Sequence, residues 1–66
     1  MYSYLQVAMK KAGVTNRMLA RVIGKNEGAV SRKLNGHSDF TIDEACRIRD
    51  AFFRDASIDT LFDRAG

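Results

Sequence analysis

The 66-residue chain has no proline, no tryptophan, one cysteine and no long apolar run. The single cysteine, Cys46, cannot form a disulfide within the chain, so nothing in its cysteine content indicates secretion. No apolar stretch approaches the roughly 20 residues of a membrane-spanning helix. The first four residues lack the basic start and apolar core of a signal peptide. Together these absences predict a cytoplasmic protein that does not contact a membrane.

The length predicts one domain over residues 1–66, near the lower size limit for a chain that folds without disulfides or metals. The formal net charge is +3, but it is divided unequally. Residues 1–38 contain seven basic residues and one acidic residue, a formal charge of +6. Residues 39–66 contain four basic and seven acidic residues, a formal charge of −3. A basic pole of this kind can orient a protein on a polyanion, although a solubilising surface whose signs happen to segregate explains it equally well.

Apolar residues recur with helical periodicity along the whole chain, and no segment alternates as a strand would. The sequence therefore predicts an all-α fold of five short helices around one small core. The predicted helices are about Ser3–Ala12, Asn16–Ile23, Glu27–Asn35, Ile42–Phe53 and 58–62. The residues predicted to face inward are Leu5, Ala8, Met9, Ala12, Leu19, Ala20, Ile23, Val30, Leu34, Ile42, Ala45, Ile48, Phe52, Ile58, Leu61 and Phe62, with Phe40 as a core plug.

Local signals mark the ends of these helices. Gly13, Gly24 and Gly36 each follow a helical stretch, where a C-terminal cap favours glycine. The predicted N-terminal caps are polar residues whose oxygen can accept a backbone hydrogen bond: Thr15, Asn26, Thr41 and Ser57. The segment from Thr41 to Glu44 has the spacing of a capping box.

The second and third helices have the spacing of a helix-turn-helix over residues 16–36. Two short helices that cross steeply need a small residue at the crossing, which Ala20 supplies. The turn needs a residue that tolerates positive φ, which Gly24 supplies. Leu19, Ile23 and Val30 supply apolar anchors on both helices. Small bundles also use such spacings for packing alone, so a purely structural role stays open.

From about Leu5 to Phe62 the sequence resembles the phage repressor and Cro class of helix-turn-helix domains. The densest likeness lies in 16–24 (NRMLARVIG) and 29–36 (AVSRKLNG), and 38–45 (SDFTIDEA) is similar to the loop and fourth helix of small prophage regulators. The resemblance implies a five-helix, Cro-like bundle that regulates transcription by binding operator DNA. Its recognition helix would be Glu27–Asn35, lying in the major groove.

The resemblance also implies DNA-contacting positions. The base contacts would come from Glu27, Gly28, Ser31 and Arg32. The phosphate contacts would come from Asn16, Arg17, Lys25, Lys33, Asn35, His37 and Ser38. Arg32 can bond two acceptors of guanine at once, whereas Glu27 can either accept from a cytosine amino group or simply favour the helix dipole.

Some residues depart from the pattern of the family. Gly28 offers no side chain where many relatives make a contact, and Asp39 places a carboxylate where some relatives have a basic residue. Lys33 replaces an apolar residue, and we expect Leu34 to take over its packing. Because Glu27 and Gly28 stand at reading positions, a protein-interaction module that binds a repressor-type protein through the same fold is the alternative.

Three apolar residues near the C-terminus, Phe53, Ile58 and Phe62, have two interpretations: they cover the small core, or they form a homodimer contact that would place two recognition helices on DNA half-sites. No cofactor or metal is expected, because His37 has no second ligand at suitable spacing. Cys46 is expected to be buried or half-buried and inert, and the acidic residues of the C-terminal half to form a solvated face. No arrangement of nucleophile and base suggests an enzyme.

Overall fold

The computed structural model of the protein describes residues 2–64. These residues form five α-helices and no strand: α1 (Ser3–Ala12), α2 (Asn16–Ile23), α3 (Glu27–Leu34), α4 (Ile42–Phe52) and α5 (Ile58–Leu61). The predicted all-α fold of five short helices is therefore confirmed. The bounds of α1 and α2 agree with the prediction, and α3, α4 and α5 each end one residue earlier than expected.

Two glycines end the first two helices as predicted. Gly13 and Gly24 lie in the left-handed region with φ of 71° and 72°, a conformation that residues with a Cβ adopt at a cost. After Gly24 the chain turns within three residues, and the amide of Lys25 donates to the carbonyl of Ala20 at 3.0 Å. The tight turn sets α3 directly against α2.

Side-chain caps begin the four helices α2 to α5, as predicted. Each cap oxygen accepts a hydrogen bond from the backbone amide three residues later, and the caps are Thr15, Asn26, Thr41 and Ser57. At α4 the capping box is complete, since the amide of Thr41 donates to Oε1 of Glu44 at 3.0 Å. Four of the five helix starts are thus set by local sequence.

The core is built from one fully buried aliphatic side chain of each helix. Leu5, Leu19, Val30, Ile48 and Leu61 come from α1 to α5 in that order, and each has 0% of its surface exposed. Burying a side chain of this size contributes about 1.5–3 kcal/mol. Each helix is therefore anchored to the same small centre.

Three aromatic rings close the core beside α1. The ring of Tyr2 lies 5.1 Å from that of Phe40 and 6.1 Å from that of Phe62, all in edge-to-face pairs. The Tyr2 hydroxyl accepts a hydrogen bond from the amide of Phe40 at 3.3 Å. Phe40 is half-buried and packs on the core as predicted, whereas the burial of Tyr2 was not predicted.

Three expectations about burial are wrong. Ile42 is 83% exposed, because it lies roughly 120° around the helix from Ile48, which marks the centre of the inner face of α4. Ala12 is exposed, because it is the last residue of α1. Glu44 was expected on a solvated face but is buried, with its carboxylate turned back toward the start of α4.

Candidate functional site

The outward side of α3 is a continuous polar surface. Val30 and Leu34 point into the core, and residues around the rest of the helix, from its first turn to its C-terminal cap, reach solvent. We call this surface the α3 edge, and it consists of Glu27, Gly28, Ser31, Arg32 and Asn35. All are exposed except Ser31, which is half-buried. Four of these residues are the base contacts predicted from the sequence, and Asn35 was predicted to contact phosphate.

A groove with a volume of about 440 Å³ lies between α1, the start of α2 and the α3 edge. We call it the α1 groove. Its polar lining consists of Ser3, Gln6, Lys10, Asn16, Ser31 and Asn35. Asn16, predicted to contact phosphate, thus shares a concave surface with two residues of the α3 edge. Ser3, Gln6 and Lys10 were not predicted as site residues, because nothing in the sequence indicated which side of α1 faces α3.

A second, smaller groove of about 290 Å³ lies on the other side of α3. We call it the basic groove, and it is lined by Lys25, Ala29, Arg32, Lys33 and Ser38. Four of these five residues were predicted to contact DNA. The structure brings them together from the turn before α3, from α3 itself and from the loop that follows it.

The cations of the first 38 residues are almost all unpaired. Within residues 2–64, six of these seven side chains have no carboxylate at ion-pair distance, and all six are exposed: Lys10, Lys11, Arg17, Arg21, Lys25 and Arg32. Their charge therefore stays available to a polyanion in solvent.

Lys33 is the exception among these cations. Its ammonium lies 3.2 Å from Oε1 of Glu44 and donates to the carbonyl of Asp39 at 2.9 Å. It is also 5.8 Å from the ring centroid of Phe40. Lys33 borders the basic groove, but its charged end is turned toward α4. The predicted packing role of Leu34 is confirmed, since Leu34 is buried.

The pKa of the Glu44 carboxyl group is lower than its ordinary value. Burial raises its pKa, but hydrogen bonds from the Thr41 amide and the Lys33 ammonium, with the charges of Lys33 and Lys25, lower it more. The net effect holds the pKa below its ordinary value, so Glu44 is ionised at neutral pH and completes the ion pair.

The loop after α3 carries the last predicted phosphate contacts. His37 and Ser38 are exposed, and the amide of His37 donates to the carbonyl of Arg32 at 2.9 Å, which continues the last turn of α3. The loop carboxylate of Asp39 forms an ion pair with Arg64, whose guanidinium lies 5.3 Å from the ring of Tyr2. This pairing was not predicted, because the two residues lie far apart in the chain.

No protein-family model, curated protein or solved structure matches the chain. Within residues 2–64, no three histidine, cysteine or acidic side chains gather to hold a metal ion. Of the five helices described, none is long and apolar enough to cross a membrane. The function is therefore inferred from the geometry and charge around the α3 edge.

The three residues predicted for a homodimer contact are all half-buried in the described chain. Phe53 packs on the core beside Phe52, and Phe62 belongs to the aromatic cluster with Tyr2 and Phe40. A role in covering the core accounts for both rings, and the homodimer stays a prediction. The most exposed large apolar side chains lie elsewhere, at Tyr4, Val7 and Ile42. Cys46 is half-buried, as expected.

Proposed function

We propose that the protein binds double-stranded DNA by placing the α3 edge in the major groove. One observation carries the proposal: the α3 edge lies between two grooves that have polar side chains in their linings, and the exposed cations there, Lys10, Lys25 and Arg32, have no carboxylate at ion-pair distance within residues 2–64. The helix pair α2 and α3, joined by the turn at Gly24, would then act as a helix-turn-helix.

The dimensions of α3 suit this role. An α-helix with its side chains is about 10–12 Å across, and the major groove of B-DNA is about 12 Å wide. Phosphates line both sides of that groove. The α1 groove, with Asn16, and the basic groove, with Lys25 and Ser38, lie on opposite sides of α3, so each would meet one phosphate strand.

Within the α3 edge, Arg32 is the residue best equipped to read a base. Its exposed guanidinium can donate two hydrogen bonds to guanine O6 and N7. The Ser31 hydroxyl can form a hydrogen bond with either base of a pair. Gly28 lets the backbone approach the bases closely, but it has no side chain that could contact a base. Glu27 lies in the first turn of α3, where the helix dipole favours a carboxylate. Most discrimination between sequences therefore falls to Arg32.

Phosphate contacts are assigned to side chains around the two grooves. Of the residues predicted for this role, Asn16, Arg17, Lys25, Asn35, His37 and Ser38 are retained, because their polar groups lie beside the α3 edge or on exposed surfaces. Lys33 is removed from the set, since its ammonium is held by Glu44 and Asp39. Each cation that neutralises a phosphate adds about 0.9 to the steepness of the salt dependence of binding.

The sequence resemblance to the phage repressor and Cro class agrees with this arrangement of helices. We therefore infer a small prophage-type transcriptional regulator that acts in the cytoplasm. A homodimer would place two α3 edges on half-sites about one DNA turn apart. The C-terminal residues Phe53, Ile58 and Phe62 remain its predicted contact.

The direct test is selection of bound fragments from a pool of random duplex DNA by gel mobility, at low salt and again at 200 mM salt. We expect retained duplexes to share a short motif containing guanine, and binding to weaken steeply as salt rises. A stoichiometric complex with a repressor-type protein and no retention of any duplex would instead support the protein-interaction module.

A further inference from the structure

The ion pair between Lys33 and Glu44 differs from the other ion pairs among residues 2–64. Its side chains are only 13% and 9% exposed, whereas every other ion-paired side chain is at least 32% exposed. Bringing two charges out of water is costly, and apolar residues of similar volume often fill such a site as well or better. The attraction within the pair is therefore partly offset by the cost of burial, and what the pair adds is a fixed geometry.

The contacts of the pair join three segments of the chain. The Lys33 ammonium, on α3, also donates to the carbonyl of Asp39 in the following loop. Oε1 of Glu44, on α4, also accepts the amide of Thr41. One ammonium and one carboxylate oxygen thus fix the C-terminal part of α3, the loop and the start of α4 relative to one another.

The segment closed by these contacts contains residues assigned to DNA. The bond from Lys33 to Asp39 spans six positions, and Asn35, His37 and Ser38 lie between its ends. On α3 itself, Arg32 and Lys33 are neighbours separated by about 100° around the helix. Arg32 faces solvent while Lys33 faces α4. The contacts that hold Lys33 therefore fix the rotation of α3 about its axis, and with it the direction in which Arg32 points.

We propose that Lys33 and Glu44 are positioning residues for DNA binding, which orient the α3 edge and the loop over 35–39 without contacting DNA. This inference rests on the proposed function. It reassigns Lys33 from phosphate contact to positioning residue and gives the buried Glu44 a role beyond the capping box of α4. Removing the negative charge of Glu44 should therefore weaken binding to a polyanion, which is the opposite of the effect expected from net charge.

The experiment measures the affinity of the full chain for a selected duplex at pH 7 over a series of salt concentrations. The variants are Glu44→Gln, Lys33→Met and Lys33→Arg. Glutamine keeps an oxygen that can accept the Thr41 amide but removes the charge that holds Lys33. Circular dichroism at the titration temperature establishes that each variant is folded. Ile48→Val, a mild core change in α4, is the stability control and should leave the affinity unchanged.

We expect Glu44→Gln to weaken DNA binding, although it makes the chain more positive. Lys33→Met should weaken it about tenfold, equivalent to about 1.4 kcal/mol, with an unchanged salt slope. Lys33→Arg should restore most of the affinity, because arginine keeps the charge and the donors. If Lys33→Met does not fold, Glu44→Gln still decides the question, because freeing the Lys33 ammonium would tighten binding if Lys33 contacted phosphate.

Two results would overturn the positioning role alone while wild-type binding persists. One is unchanged or tighter binding by Glu44→Gln. The other is a salt slope for Lys33→Met that is lower by about 0.9, the signature of a lost phosphate contact. Failure of the wild-type chain to bind any duplex would overturn the proposed function as well, so the two failures are distinguishable.

Discussion

The basic residues of the two halves of the chain are used in different ways. Among residues 2–38, six of seven cations are exposed and have no carboxylate at ion-pair distance within the described chain. Among residues 39–64, three of four arginines form ion pairs with aspartates: Arg47 with Asp43, Arg49 with Asp50 and Arg64 with Asp39.

This difference follows from the uneven charge, since the first half has one carboxylate for its seven cations and the second half has seven for its four arginines. Exposed ion pairs contribute little to stability, with a typical value of about 0–1 kcal/mol, so their absence from the first half costs little. The unpaired cations of the first half leave its surface positively charged, which favours binding to a polyanion.

The largest effect is expected from removing two exposed cations of the first half together. In Arg17→Ala/Lys25→Ala we expect DNA affinity at low salt to fall on the order of a hundredfold and the salt slope to decrease by about 1.8. The matched control is Arg47→Ala/Arg54→Ala, which removes the same charge from the second half. Equal losses in the two variants would mean that net charge alone drives binding.

A smaller effect, confined to sequence discrimination, is expected from the single change Arg32→Ala. Losing a bidentate contact to guanine costs about 1–3 kcal/mol and relaxes the preference at one position of the site. Competition between the selected duplex and variants with that base pair changed measures this preference. Arg21→Ala, an exposed cation of α2 outside both grooves, is the control. An unchanged preference would remove Arg32 from the reading surface.

Two glycines give opposite and smaller effects on stability. At Gly24 a Cβ would meet nothing within 4 Å, so Gly24→Ala carries only the backbone cost of positive φ, about 1–2 kcal/mol. At Gly28 a Cβ would make ordinary contact with Asn26 Oδ1 at 3.4 Å, so Gly28→Ala should stabilise α3 by up to about 1 kcal/mol. Urea unfolding measures both, and effects of the same sign would contradict this account of the α2–α3 turn.

The smallest effect concerns pH. Because the pKa of Glu44 is lower in the folded chain than in the unfolded chain, its contribution to stability is complete above its ordinary pKa. That contribution is lost as the pH falls through the lowered pKa. Urea unfolding from pH 7 to pH 3 should therefore show a steeper loss for the wild type than for Glu44→Gln. Parallel curves would mean that the ion pair adds nothing to acid stability.

The helices could be predicted from the sequence because their ends depend on near neighbours. Thr15, Asn26 and Thr41 bond amides three residues away, and Gly13 and Gly24 act through their own backbone angles. The residues of the α3 edge came from the resemblance to the phage repressor and Cro class, which implies contacts from the start of the recognition helix.

Several of the wrong or missing predictions involve residues far apart in the chain. The pairing of Lys33 with Glu44 has no local signal in the sequence, since the two residues lie on different helices. The pairing of Asp39 with Arg64 spans 25 positions and has no local signal. The burial of Tyr2 could have been found, since Tyr2, Leu5 and Met9 continue one helical stripe.

The central claim is that DNA contacts the α3 edge, and an NMR titration of the labelled full chain with duplex DNA tests it most directly. We expect the amide signals of Asn16, Gly28, Ser31, Arg32 and Asn35 to move at low salt and to return as salt is added, while those of α5 stay in place. Unmoved signals on α3, or shifts that centre on α4 and α5, would contradict the account.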